Sequence, residues 1–372
     1  MKYVVDAREM KLFEETVIEM MGIPSLVLME RAALAVAAEI QAYAGTRLLR
    51  EEEKSLLVVA GSGNNGADGL ALARIMSAEG WQVTVYPVGA GGHCTREWER
   101  QHKIMGYYPV REVSNWPHEE YTVMVDALFG IGLSRPVQGE YAEIIREINR
   151  RKGFYLSVDV PSGIHAATGK VMGAAVRADL TVTFGWAKKG LLFYPGAEYA
   201  GRLAVREIGI DRVCFEAVGE KPGMFYYDEP VGKLMPPRRA DGHKGSFGKV
   251  LLIAGFDQMP GAAVLSSRAA YRAGAGMVKV VCPEENRGIL QTAVPEVLWT
   301  PPQDWRAGCE WADVIAIGPG LGKNSRVKEI LTGVLAETSL PVVLDADALN
   351  LIAGDMSLQI LTADQGKAGR AL

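Results

Sequence analysis

Short runs of apolar residues alternate along the chain with longer segments in which apolar residues recur every three or four positions. In the first half, the short runs predict strands at residues 56–60, 82–88, 123–126, 155–159 and 180–184. The longer segments predict helices at residues 69–79, 95–105 and 140–151. Such alternation is typical of an α/β domain whose mostly parallel sheet is covered on both faces.

The same pattern returns in the second half of the chain. Strands are predicted at residues 249–254, 278–282, 314–317 and 342–345, and helices at residues 262–273, 325–337 and 346–353. Between the halves, residues 211–241 contain four prolines and charges of both signs, which indicates a domain junction. A length of 372 residues also favours two domains. We assign residues 1–215 to the first domain and residues 225–372 to the second.

Residues 6–44 predict two helices that precede the first strand. Pro24 separates them, and Ser25 is the expected N-cap of the second helix. The apolar stripe of that helix indicates packing or a subunit contact, and we expect the protein to be a homo-oligomer.

A glycine-rich stretch, residues 61–69, joins the first strand of the first half to a helix. It reads GSGNNGADG and satisfies the pattern G-x-G-x-x-G. Unpaired backbone N–H groups at a helix N-terminus bind phosphate, whereas the alternative interpretation is a turn that allows close strand–helix packing. The next strand ends without the acidic residue that holds ribose in nicotinamide-dependent dehydrogenases, which disfavours that class. Asn64, Asn65 and Asp68 instead suggest a cation or contact with the reacting part of a ligand.

Polar residues also follow two later strands of the first half. Because ligands bind beyond the carboxyl ends of parallel strands, Asp126, Asp159 and Ser162 are expected at one edge of the sheet, although an isolated Asp there is often only a helix cap. The oxygens of Asn65, Asp126 and Ser162 suit a hard cation beside a phosphate. Asp159 is placed to act as a general acid or base. Lys188 and Lys189 are interpreted as surface charges in preference to phosphate ligands.

The second half has its own glycine turn. Residues 318–322, GPGLG, follow an apolar run and suggest a second anion-binding turn, although Gly-Pro-Gly is also a plain tight turn. Residues 243–248 form a further polar glycine loop, and Asp345 and Asp347 end another strand.

Charge and cysteine content limit the choice of partner and compartment. The net charge of −4 gives no reason to expect nucleic acid or an anionic membrane as a partner. No apolar run reaches the length of a membrane span, and the first residues lack a signal-peptide core. Four scattered cysteines favour free thiols in a reducing compartment. We therefore expect a cytoplasmic protein with a small-molecule substrate.

The chain resembles the bifunctional NAD(P)H-hydrate repair enzymes. The first-domain motifs are GSGNNGADGLALAR, VDALFGIGLSRPVQG, SVDVPSGIHAATGKVMG and ADLTVTFGWAKKGLL. Those of the second domain are HKGSFGKVLLIAG, MPGAAVLSSRAAYRAGAGMVKV, IAIGPGLGKNSRV and PVVLDADALNLIA. The resemblance implies a Rossmann-like three-layer α/β/α epimerase domain followed by an incomplete ribokinase-like α/β domain.

The resemblance implies a role for each matching position. Asp159 is implied as the catalytic acid/base, and a potassium ion is implied at Asn65, Asp126 and Ser162. Substrate contacts are implied, besides Asp159, for Asn64, Asn65, Gly66, Ala67, Asp68, Gly130, Ile131, Gly132, Leu133, Ser134, Arg135, Pro136, Tyr141, Ala262 and Gly322. ADP or ATP is implied as cofactor of the dehydratase half.

The implied activity of the first domain is interconversion of the R and S forms of hydrated NADH or NADPH. In the second domain the family's Thr-Pro-His-Pro-Gly-Glu motif is replaced by TADQGK at residues 362–367. The family's later Gly-Thr-Gly-Asp segment is absent from the sequence, so we expect a truncated and inactive dehydratase half. The alternatives are a complete bifunctional epimerase/dehydratase, a non-catalytic dinucleotide-binding protein and a nicotinamide-dependent dehydrogenase.

Overall fold

A computed structural model describes residues 2–89, 92–226 and 241–371. The chain divides into two compact units, Met1–Lys233 and Leu234–Leu372. The division falls inside the predicted junction, of which residues 227–240, with Pro230, Pro236 and Pro237, lie outside the described residues. Both units are α/β structures with parallel sheets, so the predicted fold class is confirmed.

The first unit contains a seven-stranded parallel sheet and a small three-stranded sheet. Its strands are β1 (Lys2–Val5), β2 (Ser55–Ala60), β3 (Gln82–Pro87), β4 (Arg111–Glu112), β5 (Val123–Ala127), β6 (Phe154–Val158), β7 (Leu180–Phe184), β8 (Ala187–Lys188), β9 (Arg202–Arg206) and β10 (Met224–Tyr226). Its helices are α1 (Ala7–Glu15), α2 (Ser25–Arg47), α3 (Asn64–Ala78), α4 (Arg96–Met105), α5 (Gly139–Arg150), α6 (Gly196–Ala200) and α7 (Val213–Val218). The large sheet has the order β4-β3-β2-β5-β6-β7-β9.

The alternation of side chains along β2 explains why the sheet is covered on both faces. Leu56, Val58 and Ala60 point into a core shared with α2 and α3. Leu57 and Val59 point into a second core that includes Ile145 of α5 on the opposite face. Since both faces are buried, β2 reads as a continuous apolar run.

The helical N-terminal region differs from the predicted one at its boundaries. Asp6 caps α1, and the Glu9 side chain accepts a hydrogen bond from the Asp6 backbone N–H, which completes a capping box. A π-helical turn continues the chain over Thr16–Met20. The N-cap of α2 is Pro24, whereas Ser25 is already helical, and its hydroxyl donates to a carboxylate oxygen of Glu97. The prediction that Ser25 caps this helix was therefore wrong.

The small sheet joins distant parts of the first unit. β1 pairs parallel with β8 and antiparallel with β10, so the order is β10-β1-β8. Because β10 belongs to this unit, the first domain extends beyond the predicted limit at residue 215. The sequence pattern did not predict β1, β8 or β10, since runs of two to four residues carry little periodicity.

The second unit contains a five-stranded parallel sheet of order β13-β12-β11-β14-β15. Its strands are β11 (Lys249–Ile253), β12 (Met277–Val281), β13 (Leu298–Thr300), β14 (Val314–Ile317) and β15 (Val342–Leu344). Its helices are α8 (Pro260–Ala273), α9 (Glu284–Ala293), α10 (Trp305–Trp311), α11 (Ser325–Glu337), α12 (Ala346–Ala353) and α13 (Met356–Lys367). Buried clusters lie on both faces of the sheet, so this unit has a core of its own.

In the parts of the chain that the structure describes, no helix is long and apolar enough to cross a membrane.

Candidate functional site

The site of the first unit lies where the strand order of the large sheet reverses. The chain moves outward on one side from β2 to β3 and β4, and on the other side from β5 to β6, so the loops after β2 and β5 diverge. A crevice between such loops is the usual ligand site of an open α/β sheet. The glycine stretch follows β2 and Asp126 lies in β5, as predicted for the edge of the sheet.

The glycines after β2 combine close packing with an open helix terminus. A Cβ atom on Gly66 would lie 1.8 Å from the carbonyl oxygen of Gly61, and one on Gly69 would lie 2.7 Å from the Cβ of Ala127. Helix α3 begins at Asn64, five residues before the predicted start, and its N-cap Gly63 supplies no side-chain cap. The glycines therefore serve the tight turn, while the uncapped first N–H groups are available to an anion.

A cavity of about 580 Å³ opens at this helix terminus. Ten of the predicted substrate contacts line it: Asn64, Asn65, Asp68, Gly130, Ile131, Gly132, Leu133, Ser134, Arg135 and Asp159. Gly66, Ala67, Pro136 and Tyr141 are not among its lining residues. Ala67 is fully buried in the core, and the structure does not place it in the cavity wall.

Asp159 lies directly after β6 and is oriented by β7 and by a buried lysine. Its Oδ1 accepts hydrogen bonds from Lys188 Nζ at 2.5 Å, from Thr183 Oγ1 at 3.1 Å and from the Phe184 backbone N–H at 3.4 Å. Its φ is 67°, a left-handed conformation that is uncommon for aspartate and that clusters at functional sites. The wall of the cavity thus holds a fixed, charge-compensated carboxylate.

Lys188 is not the surface charge that the sequence predicted. It is fully buried, and its Nζ also donates to Thr183 Oγ1 and to the Phe184 carbonyl oxygen, both at 2.9 Å. Lys189 is partly buried and forms ion pairs with Asp6 and Glu9 of the α1 N-terminus. These two lysines were misread because two adjacent lysines usually face solvent, and the pairing of β8 with β1 that buries Lys188 is invisible in the sequence.

Two further carboxyl groups face the same cavity. Glu14 of α1 is partly buried, and burial, together with the charge of Asp159, raises its pKa. Burial also raises the pKa of Asp68 well above its ordinary value, and the charges of Asp159 and Glu14 add to the effect. Sequence reasoning missed Glu14, since an acidic residue in an amphipathic helix carries no catalytic signature.

Asp126 and Ser162 lie together behind the cavity wall. Asp126 Oδ1 accepts the Ser162 hydroxyl at 2.5 Å, and Oδ2 accepts the Ser162 backbone N–H and the Ser157 hydroxyl, both at 2.8 Å. Burial raises the pKa of Asp126, although these hydrogen bonds oppose the shift. Asp126 and Ser162 are therefore in contact, as predicted.

The chain after β5 connects this pair to Asn65. The Phe129 backbone N–H donates to Ser162 Oγ at 2.9 Å, and a Cβ on the adjacent Gly130 would lie 3.4 Å from Oδ1 of Asn65. Asn65 is buried, and its Nδ2 has no hydrogen-bond partner among the residues that the structure describes. Within the described ranges, no group of three His, Cys, Asp or Glu residues is arranged to hold a metal ion. An ion here would be held by carboxylate, amide and hydroxyl oxygens instead.

Tyr141 contacts the glycine-rich loop through its hydroxyl group. Its hydroxyl is hydrogen-bonded to the Ser62 side chain, and a Cβ on Gly89 would lie 2.2 Å from that hydroxyl. Its ring packs against Phe129 with centroids 4.9 Å apart. The structure therefore gives Tyr141 a positioning role in the loop.

Ala262 and Gly322 belong to the second unit, at the carboxyl edge of its sheet. The Gly322 backbone N–H donates to Asp347 Oδ2 at 2.9 Å, and a Cβ on Gly320 would lie 2.7 Å from the Cβ of Ala262. The predicted glycine turn thus packs against α8 next to the start of α12. Residues 362–367 lie within α13.

Comparison with known proteins assigns each unit to a family. The family model described as YjeF-related protein N-terminus matches residues 25–190, and the NAD(P)H-hydrate dehydratase model matches residues 250–368. The chain is 35% identical over 372 residues to the bifunctional NAD(P)H-hydrate repair enzyme of Thermofilum pendens, covering 94% of this chain and 69% of that protein. It is 46% identical over 203 residues to the NAD(P)H-hydrate epimerase of Limosilactobacillus reuteri, covering 54% of this chain and 93% of that protein.

A solved structure supports the fold of the first unit. The crystal structure of the yeast protein ynu0 aligns with a TM-score of 0.50 and 24% identity, over 61% of this chain and 96% of that chain. The match of the dehydratase model through residue 368 gives no support to the expectation of a truncated, inactive second half. Both domains of the family are present, and the chain belongs to the bifunctional NAD(P)H-hydrate repair enzymes.

Proposed function

We propose that the first unit interconverts the R and S forms of hydrated NADH or NADPH. The observation that supports this most directly is the Asp159–Lys188 pair in the wall of the cavity that opens at the α3 N-terminus. The helix terminus and Arg135 suit the phosphates of a dinucleotide, while Asp159 suits proton transfer at its reacting ring. The epimerase relatives of the first unit support the same activity.

Each part of the cavity has a separate task in this proposal. The uncapped N–H groups of α3 bind phosphate and fix the ligand's position along the crevice. Lys188 compensates the charge of Asp159 and, with Thr183, fixes the direction of its carboxylate. The other oxygen of that carboxylate exchanges a proton with the hydroxyl group on the reacting ring carbon. Asp68 and Glu14 complete the acidic end of the cavity.

A potassium ion fits the residues behind the wall. Asp126 is a buried carboxyl group whose pKa is raised by burial. Among the described residues, the groups that lower this pKa act only as hydrogen-bond donors. Nδ2 of Asn65 has no partner in the described part of the chain, and rotation about the last torsion of this side chain would present the amide oxygen in its place. Asn65, Asp126 and Ser162 would hold the ion, which would supply positive charge next to the phosphate-binding loop.

The second unit is proposed to dehydrate the S hydrate in an ADP- or ATP-dependent reaction. The dehydratase-family match over residues 250–368 supports this second activity. The carboxyl edge that carries Ala262, Gly322 and Asp347 is the expected ligand site, because the strand order reverses between β11 and β14.

One experiment separates the two activities. The purified chain is given a mixture of R and S NADH hydrates, and both forms are followed by chromatography with and without potassium and ADP. Equilibration of R and S without loss of total hydrate supports the epimerase, and nucleotide-dependent recovery of NADH supports the dehydratase. Ligand binding without either change would instead indicate a non-catalytic dinucleotide-binding protein.

A further inference from the structure

Inversion at a carbon that bears both a hydroxyl and a ring nitrogen requires two proton transfers. If the C–O bond breaks, the leaving oxygen must gain a proton, and the water that enters from the other face must lose one. Asp159, which accepts a hydrogen bond from the Lys188 ammonium, is arranged to receive a proton. A second group must then donate one.

The cavity wall offers few candidates for that donor. Besides Asp159, its charged residues are Lys11, Glu14, Asp68, Glu97, Arg135 and Lys188. Arginine keeps its proton in proteins, Lys188 is committed to Asp159, and Lys11 is exposed and paired with Glu15. Glu97 already accepts a hydrogen bond from Ser25. Of the remaining carboxyl groups, Glu14 and Asp68 interact electrostatically with Asp159.

The position of Glu14 is fixed by its neighbours on α1. The preceding residue, Phe13, is buried, with its ring centroid 5.2 Å from that of Trp186. At the start of the helix, Asp6 and Glu9 form ion pairs with Lys189, which follows the lysine bound to Asp159. Helix α1 is therefore tied at two points to the segment that positions Asp159.

We propose that Glu14 is a second catalytic residue of the epimerase, which donates a proton to the departing hydroxyl while Asp159 accepts one from the entering water. This inference rests on the proposed function of the first unit and assigns the proton-transfer groups of that same site.

The step balances without any redox partner. The Glu14 carboxyl gives its proton to the hydroxyl oxygen, the C–O bond breaks with its electron pair on oxygen, and water leaves. The lone pair of the ring nitrogen forms a C=N⁺ bond. Water then adds to the opposite face, and its proton passes to the Asp159 carboxylate. Reaction in the reverse direction, or exchange with solvent water, restores both groups.

The environments of the two candidate donors support the choice of Glu14. Burial and the charge of Asp159 raise the pKa of Glu14, which brings it toward the range in which a carboxyl both gives and regains a proton. Burial also raises the pKa of Asp68, which favours its protonated, hydrogen-bond-donating form. Glu14 also lies close to Lys188, whose charge opposes the shift.

The test compares Glu14→Gln with Glu15→Gln in the whole chain. Glu15 is exposed and forms an ion pair with Lys11 at 3.5 Å, so its variant controls for charge on the same helix turn. The assay follows R/S interconversion of NADH hydrate, and calorimetry measures hydrate binding. We expect Glu14→Gln to slow interconversion about 100-fold with binding changed less than about threefold, and Glu15→Gln to match the wild type. Formate should restore part of the rate to Glu14→Ala.

Three results would overturn the inference. Wild-type rates in Glu14→Gln would exclude Glu14 as the donor while leaving the epimerase assignment intact. Retention of the original oxygen in product formed in ¹⁸O-labelled water would exclude C–O cleavage. A Glu14→Ala variant that binds hydrate but is not rescued by formate would indicate a structural role. Failure of the wild type to interconvert the hydrates would instead refute the proposed function, and this inference with it.

Discussion

Replacing Lys188 by methionine is the sharpest test of how the site is held together. The ammonium is fully buried and donates to Asp159, Thr183 and the Phe184 carbonyl, whereas the Asp159 side chain is only 13% exposed. Removing one partner of a buried ion pair costs about 3–5 kcal/mol, because the remaining charge is left uncompensated. Asp159 keeps two other hydrogen-bond donors, so we expect a loss of stability at the lower end of this range, about 3 kcal/mol.

The double variant Lys188→Met/Asp159→Asn provides the matched control. With both charges gone, the main remaining loss is a hydrogen-bond donor to the Phe184 carbonyl, at a cost of about 1 kcal/mol. The double variant should therefore be about 2 kcal/mol more stable than Lys188→Met while remaining inactive as an epimerase. Stability and activity would thus be separated.

Hydrogen exchange at the amides of β7 in the whole chain is the appropriate assay. A chain with two units need not unfold in one transition, whereas local exchange reports the free energy of opening next to the pair. Asp159→Asn alone completes the cycle. If the effects of the two single substitutions simply add in the double variant, the pair is not coupled and the reasoning is refuted.

Three further predictions follow from the same site. Burial raises the folded-state pKa of Asp68, so ionisation of this carboxyl opposes folding as pH rises. Asp68→Asn should therefore raise Tm at pH 8, and the difference in Tm from the wild type should shrink toward pH ~4. An unchanged Tm at pH 8 would contradict this. Gly66→Ala places a Cβ 1.8 Å from the Gly61 carbonyl oxygen and should cost more than about 2 kcal/mol by calorimetry, whereas Gly63→Ala, which meets no atom within 4 Å, should cost much less. Potassium chloride should raise Tm more than lithium chloride does at equal concentration, and Asp126→Asn should abolish this difference between the two salts. Equal effects of both salts on the wild type would argue against a potassium site.

Two strands and two helices could be predicted from the sequence with both of their boundaries. These are β7, β14, α11 and α12, whose apolar residues face buried cores. The clustering of Asp126 with Ser162 was also predictable, since parallel strands place their carboxyl ends on one edge.

The remaining features depend on contacts between distant segments. Lys188 was misread because only the pairing of β8 with β1 shows that it is buried. Glu14 was missed because it shares a cavity with Asp159 only through the packing of α1 against the site. Gly66 was assigned to the substrate by resemblance, and a Cβ added there would also meet the carbonyl oxygen of Gly61 in its own loop. Such relations are absent from local patterns of polarity.

The topology of the small sheet also predicts the order in which the surroundings of Asp159 are completed during folding. Lys2 pairs with Tyr226, so this ladder closes a loop of more than 200 residues, whereas β2 and β3 pair within one strand–helix–strand segment. Closing a long loop costs entropy that early contacts do not repay, so we expect β1 to join β8 and β10 after the large sheet has formed. On the ribosome, β1 therefore gains its full pairing only after β10 has emerged. A partly synthesised first unit would possess the glycine-rich loop before the small sheet that completes the surroundings of Asp159.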